Sequence, residues 1–417
     1  MILMIFDNLS KEYNFKRFFY KLINEIRFKF SYMYPTISDL LLDLFGFNLQ
    51  LPIQTFGFFM ALSFGAAYWF TSQELKDKET NGLLKSFQVK EKINVKITIV
   101  DYATQTIIYA FVGFKLLEMF LDYDSLVANP QKFLLSGKGS WFGALAGGVF
   151  GYYSTSKEAK ALEGKTPATI TKIVHPYQLM GNIVGIAAIG GILGAKIFHN
   201  LENLDEFAAD PMGSLLSFSG LTFYGGLIVA AIGILYYTSK HQIKWYHMID
   251  SAAVGLMIAY GIGRVGCHLS GDGDWGIDNL SPKPDALAFL PDWFWSYKYP
   301  HNVLGEGIPI PGCVGNHCAQ LANPVYPTPL YEAIVCIGLA FVLWFSRKKF
   351  KTPGVFFFTY LILNGIERFT IEKIRVNTTY NILGQGITQA EIISFVFILM
   401  GIVGVFYMKT RFKNKLE

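Results

Sequence analysis

The sequence predicts an all-α integral membrane protein of about nine transmembrane helices with one long external segment. Three observations carry that reading: an apolar composition, nine apolar stretches of roughly membrane length, and a one-sided distribution of lysine and arginine. Of the 417 residues, 52% are hydrophobic, 16% aromatic and only 16% charged, against about 25% charged in ordinary soluble domains. So few charges do not cover the surface of a soluble chain of this length, and the mean hydropathy of +0.33 agrees. Lipid covers much of it instead.

The apolar stretches lie near 52–71, 98–120, 139–154, 180–199, 217–238, 247–269, 325–346, 354–371 and 388–408. A bilayer core needs roughly 20 such residues per helix; the third and eighth stretches are short. Alternate loops are basic: 72–97, 155–179, 239–246, 347–353 and the tail after 408. The intervening loops are poor in Lys and Arg. Segments 200–216 and 376–387 have none, and 270–324 has only Lys283 and Lys298. By the positive-inside rule the basic loops and the C-terminus are cytoplasmic. The net charge of +5 matters less than this asymmetry. Nothing in the pattern calls for nucleic acid as a partner.

This organisation divides the chain at 1–51, 52–276, 277–324 and 325–417: an N-terminal interfacial arm, spans one to six, an external head, and spans seven to nine with a basic tail. Met1–Phe6 is too short an apolar run for a signal peptide. The basic stretch 11–29, interleaved with Phe and Tyr, suits an amphipathic helix in the membrane interface; the alternative is a span count off by one. An internal repeat joins residues of about 98–157 to 180–240. At an offset of 81, residues 113–142 match 194–223 at ten of thirty positions, among them Gly113/Gly194, Lys115/Lys196, Pro130/Pro211 and Phe142/Phe223. The two copies share one orientation, unlike the inverted repeats common in transporters.

Four segments carry the chemistry. Gly261 to Gly276 holds the string G-x-G-x-x-G at 261–266, but it ends an apolar helix and lacks the strand a dinucleotide site needs. Its glycines suit close helix contact. Arg264 costs roughly 2.5–3.5 kcal/mol in a span; it is either snorkelling to the outer interface or binding an anion, which a guanidinium fork grips in pairs. The second segment, Asn364 to Arg375, sets Arg368 and Glu372 four apart on one helix face, as an internal ion pair or as part of the same anion site. The third is Tyr224-Gly225-Gly226-Leu227, whose paired glycines admit another backbone or a lipid chain. The fourth is Tyr326-Pro-Thr-Pro-Leu-Tyr-Glu332. Cys313 and Cys318, two of four cysteines, read as an external disulfide, with a zinc site as the alternative.

Taken in order, these segments resemble the prolipoprotein diacylglyceryl transferase family over roughly 50–71 and 180–410. The family signature G-R-x-G-N-F-I-N-x-E-x-x-G stands here as Gly263-Arg264 to Gly276, one residue longer. Its H-G-G-L stands as Tyr224 to Leu227, its H-P-S-x-L-Y-E as Tyr326 to Glu332, and its Y-G-x-x-R-x-x-x-E-x-x-R as Asn364 to Arg375. The family has seven spans, so the unit near 98–154 supplies two more. This chain departs where the family's histidine is Tyr224, its signature asparagine Cys267, its first-span tyrosine Phe56 and its eighth-span tyrosine Asn364.

The resemblance implies transfer of sn-1,2-diacylglyceryl from phosphatidylglycerol to the lipobox cysteine thiol of prolipoprotein signal peptides, in the bacterial inner membrane, with no metal or organic cofactor. It implies that Arg264, with Asp272 and Gly276, binds the lipid phosphate, and that Arg368, oriented by Glu372, serves the leaving group. Thiol activation falls to Tyr224, to His268 made more basic by Asp272, or to no base at all if the arginines lower the thiol pKa. Two other readings remain. A non-catalytic relative that binds anionic lipid is favoured by the replaced histidine and asparagine. A transporter would set ionisable pairs near the midplane, whereas these arginines lie near the outer end.

Overall fold

The computed structural model describes residues 32–128, 130–216, 222–382 and 385–413; the basic stretch 11–29 lies outside them. A short helix, α1 (Ile37–Phe45), is followed by nine longer ones among the described residues. They are α2 (Thr55–Thr80), α3 (Ile99–Leu121), α4 (Trp141–Leu162), α5 (Met180–Glu202), α6 (Phe223–Lys240), α7 (Trp245–Ser270), α8 (Thr328–Ser346), α9 (Val355–Glu372) and α10 (Gln389–Phe412). Each overlaps one of the apolar stretches. Five are long and apolar enough to cross a membrane: α3, α5, α7, α8 and α10. In α9 the charges of Glu367, Arg368 and Glu372 interrupt the apolar run.

The helices are not the whole of the regular structure. Three antiparallel two-stranded ribbons stand in loops that an all-α reading leaves irregular: β1 (Phe87–Ile93) with β2 (Ala168–Val174), β3 (Ile308–Pro309) with β4 (Ala319–Gln320), and β5 (Thr379–Ile382) with β6 (Gln385–Thr388). In the longest ribbon Phe87 pairs with Val174 and Ile93 with Ala168, and β-branched residues at 169, 170, 171, 173 and 174 suit a pleated strand.

Local chemistry sets the helix ends. Thr98 and Thr388 each cap a helix while the acid three residues on, Asp101 or Glu391, returns a bond to the cap backbone, two orphan donors satisfied reciprocally. Helix α7 stops at Gly271, whose φ of +63° is left-handed and whose N–H returns to the Cys267 carbonyl. Gly is suited there twice over, because a Cβ would also press on Asn302.

The chain forms two compact units. One comprises 36–54 and 87–174: α1, the long ribbon, and the antiparallel pair α3 and α4. In that pair a Cβ at Gly113 would collide with the Gly143 carbonyl, and one at Gly143 with the Gly113 carbonyl. Lys115 is buried and donates to three carbonyls of the connecting loop, those of Phe133 (3.2 Å), Ser136 (2.5 Å) and Lys138 (2.8 Å).

The other unit holds residues 55–86 and everything from 175 onward, together with the preceding residues 32–35. At its centre α7 presents different glycines to different neighbours. Gly255 and Gly266 meet α2 at Thr71 and Phe59, while Gly261 meets α8 at Ile337 and Cys336. The G-x-G-x-x-G string is therefore a packing device. Ala253, Val254, Met257 and Ile258 of α7, Cys336, Ala340 and Leu343 of α8, and Phe356, Tyr360 and Leu361 of α9 make the core. Truncating such a residue, Met257 to Ala for example, costs about 2–5 kcal/mol.

The same unit contains α5 and α6, the second copy of the repeat. Gly194 and Gly225 meet carbonyl to Cα as Gly113 and Gly143 do. The equivalent bonds are Ser140 N–H to Phe114 O (2.9 Å) and Thr222 N–H to Ala195 O (3.1 Å). Past the connecting loop the copies are thus offset by 82, not 81. The sequence pairing of Phe142 with Phe223 is one residue out, and Phe142 stands where Tyr224 does.

Residues 271–327 fold around Trp275, Tyr297, Tyr299, Leu321 and Val325, with Met33 packed among them. Buried Asn302 ties this segment together, donating to the carbonyls of Tyr299 and Glu306 and accepting from the Glu306 N–H. Cys313 and Cys318 are disulfide-bonded, so neither offers a thiolate to zinc.

Candidate active site

The charged residues of the signature segments converge at the C-terminal end of α7. Arg264 Nε lies 2.8 Å from Glu332 Oε2, and one terminal nitrogen pairs with Asp274. Arg375 contacts the same two acids from the other side, Glu332 Oε1 at 3.1 Å and the second oxygen of Asp274. The result is a closed ring of two guanidiniums and two carboxylates. Tyr260, one helical turn before Arg264, donates to Glu332 Oε2 at 2.5 Å, and the Arg264 guanidinium lies over its ring. Glu332 is fully buried. A carboxylate there is tolerable only because three donors surround it, since an uncompensated buried charge costs several kcal/mol.

Backbone geometry holds the ring. Gly276 N–H donates to Tyr326 O (2.9 Å) and Ile277 N–H to Ile374 O (2.9 Å), while Gly276 bridges Arg375. A Cβ at Gly276 would strike the Ile374 carbonyl, so only glycine lets the two segments approach. Thr328 Oγ1 donates to the Asp274 carbonyl at 2.8 Å. Burial alone would raise the Asp274 carboxyl, but Arg264 and Arg375 outweigh it and hold the group below its usual range. Asp272 has no such partner, and burial followed by the nearby Asp274 charge pushes its carboxyl up. Cys267, Asp272 and Asp274 bring ligand atoms within 4.8 Å of one another. Asp274 is committed to two arginines, so the set suits a metal poorly.

Arg368 stands beside this ring and differs from it. One of its terminal nitrogens lies 2.8 Å from Glu372 Oε2, and Asn377 fixes Glu372 through Oε1 at 2.6 Å. The other terminal nitrogen is buried and has no hydrogen-bond partner among the described residues. The hydroxyl of Tyr224 faces the same guanidinium. Tyr224 is held there because Gly225 and Gly226 pack against the backbone of α5, where a Cβ would strike Phe198 and the Gly191 carbonyl respectively. The glycine pair thus admits a backbone.

His268 lies elsewhere. It is buried with Nδ1 3.3 Å from the Tyr299 hydroxyl, its ring near those of Trp293 and Tyr297. Its partner is that tyrosine, and no bond to Asp272 is present among the described residues. The site residues that sequence reasoning did not single out are Glu332, Asp274, Arg375 and Tyr260. Tyr260 had a signal, its i,i+4 spacing to Arg264; Glu332 and Arg375 closed two of the segments already noted.

A ring of ion pairs with a third guanidinium beside it, at the end of a long apolar helix, has the chemistry to grip an anion. A model of the family described as prolipoprotein diacylglyceryl transferase matches residues 44–185 and 168–407. The chain belongs to the prolipoprotein diacylglyceryl transferase family. It is similar to the phosphatidylglycerol–prolipoprotein diacylglyceryl transferase of Clostridioides difficile, 28% identical over 281 residues, 66% of this chain and 94% of that one. The transferase of Dehalococcoides mccartyi is 26% identical over 231 residues, 55% of this chain and 76% of that one. That of Clostridium novyi is 28% identical over 240 residues, 57% and 82% of the two chains. The chain is thus a transferase of lipoprotein biosynthesis and a multi-pass membrane protein.

Proposed function

We infer that the protein transfers the diacylglyceryl group of phosphatidylglycerol to the lipobox cysteine of prolipoprotein signal peptides. The observation that carries this is the gathering of three guanidiniums, Arg264, Arg368 and Arg375, at the C-terminal end of α7, with buried nitrogens of Arg368 and Arg375 lacking a hydrogen-bond partner among the described residues. Arg264 keeps a terminal nitrogen free of any bond among the described residues, and the Arg264 charge acts on Arg368. Neighbouring guanidiniums of this kind suit a shared anion. The lipid phosphate docks between them, Arg264 holding it and Arg368 receiving the charge that builds as it departs. The substrate sulfur attacks the sn-3 carbon of the glyceryl group, forming the S–C bond. The C–O bond to phosphate breaks with its electron pair, and the thiol proton leaves with the glycerol phosphate. Charge stabilisation of this type is the largest single contribution in many enzymes. In this reading Tyr224, facing Arg368, relays the thiol proton by passing its own hydroxyl proton to the departing phosphate oxygen, and His268, packed against Tyr299, takes no part.

All nine long helices span the membrane in this reading. The basic loops and the C-terminus are cytoplasmic, and segment 277–324 forms an external head between the spans of 52–276 and 325–417. Three facts support it: Lys and Arg collect in alternate loops, the head carries a disulfide, and Arg264 and Arg368 stand at the helix ends next to the head. The membrane is then the bacterial inner membrane.

The test is reconstitution in phosphatidylglycerol vesicles with a lipobox peptide. Peptide that gains one diacylglyceryl mass, with glycerol phosphate released in equal amount, is the expected result. Arg264→Ala abolishes it. Transfer by that variant above about a tenth of the original rate removes Arg264 from its role.

A further inference from the structure

The head holds a cavity of about 210 Å³ that the mechanism does not use. It is smaller than the roughly 300–1,000 Å³ of sites that enclose a whole small molecule, so it fits part of a larger ligand. Its walls continue directly from the ion ring. Trp275 and Gly276 follow Asp274, and Val376 follows Arg375; Gly276 and Arg375 are bridged to one another. Leu321 and Val325 complete an apolar lining, and Asp278 and Asn323 form a polar lip, joined by the Asn323 amide donating to Asp278 Oδ2 at 2.7 Å.

We propose that this cavity is a subsite for the polypeptide immediately C-terminal to the acceptor cysteine. The inference rests on the transferase reading and extends it to the second substrate. A thiol held at the ring belongs to a chain that leaves in two directions: one apolar, back into the bilayer, and one outward past the head. The cavity lies one residue along the backbone from Asp274 and from Arg375, on the head side. Loop backbone and a carboxylate lip bound it, surroundings that suit a peptide and not an acyl chain. The residue after the cysteine enters the apolar lining, and Asp278 at the lip disfavours an acidic side chain there.

The experiment fills the cavity from two independent walls, Val376→Trp and Ala322→Trp, and compares two acceptor peptides in phosphatidylglycerol vesicles. One peptide carries four residues after the cysteine; the other ends at the cysteine amide. Each variant is expected to raise KM for the long peptide about tenfold while processing the truncated peptide at the original rate, which also shows the variant to be folded. Equal loss on both peptides, or no loss on either, overturns the subsite. Original protein that modifies neither peptide overturns the transferase reading and this inference with it.

Discussion

Helix α7 carries a charged cluster near each end, about 20 Å apart along its axis by residue count, and the two are built to different rules. Near its N-terminal end Asp250 accepts the backbone N–H groups of Gly354 (2.6 Å) and Phe357 (2.9 Å), capping α9 from a neighbouring helix. Lys78 lies 3.9 Å from that carboxylate and donates to the His247 carbonyl. Arg347 pairs with Glu74 (2.5 Å) and Asp77 (3.2 Å) and stacks on Trp344. Every cation there has an acid, and the cluster fastens α2, α7, α8 and α9 together. There two cations, Lys78 and Arg347, meet three acids; at the other end three guanidiniums, Arg264, Arg368 and Arg375, gather on Asp274, Glu332 and Glu372, and Arg368 and Arg375 each keep a buried nitrogen without a hydrogen-bond partner among the described residues. The difference teaches where to look for chemistry among many buried charges. A cluster in which acids outnumber cations suits a fastening, and one in which guanidiniums gather suits an anion.

Mutations can break that comparison, beginning with the largest expected effect. Arg368→Ala is expected to lower the transfer rate per folded molecule at least a hundredfold, the scale on which a transition-state charge contact is lost, and to cost about 3 kcal/mol in stability because Glu372 stays buried without its cation. A variant that loses both activity and fold would make Arg368 structural after all. Tyr224→Phe removes a hydroxyl from the guanidinium and should cost between tenfold and a hundredfold in kcat. Tyr224→His should restore much of it and add a rate dependence near pH 6.5, the ordinary histidine value; flat pH profiles in both would sink the assignment. Asp250→Ala uncaps α9 and strands Lys78, at a cost of about 3 kcal/mol in stability. Its activity per folded molecule should stay intact, as measured by normalising transfer to the folded fraction.

The smallest effect is on pH. The folded Asp274 carboxyl is held below its unfolded value of about 3.9. Its ion pairs therefore stabilise the protein fully above that value, and the contribution is lost as pH falls through the folded pKa. Acid unfolding followed by tryptophan fluorescence should show stability declining below about pH 4; stability rising there would reverse the sign.

The helices were legible because lipid demands long apolar runs and little else. Their ends were less so. The first stretch ended at 71 in the sequence reading, yet α2 runs to Thr80, because Glu74 and Lys78 looked like loop charges and are buried ion-pair members instead. The pair Arg368–Glu372 was legible from its spacing. The ring that joins Glu332, Asp274 and Arg375 was not, because Arg375 reaches Glu332 and Asp274 across 43 and 101 residues. The ribbons and the internal packing of residues 271–327 were hidden for the same reason: short strands and turns take their order from distant contacts. The repeat was visible, but the added residue in its second connecting loop shifted the register. With that step counted, Phe142, which has no hydroxyl, stands where Tyr224 does.

The guanidinium cluster at the C-terminal end of α7 is the proposed working site. The most direct test expresses three chains in a bacterium depleted of its own diacylglyceryl transferase: the original protein, Arg368→Ala and Asp250→Ala. A lipoprotein's gel shift and the mass of its lipobox cysteine are then followed. The account predicts full modification by the original, none by Arg368→Ala at equal membrane abundance, and modification in proportion to abundance by Asp250→Ala. Modification by Arg368→Ala at the original rate would contradict it.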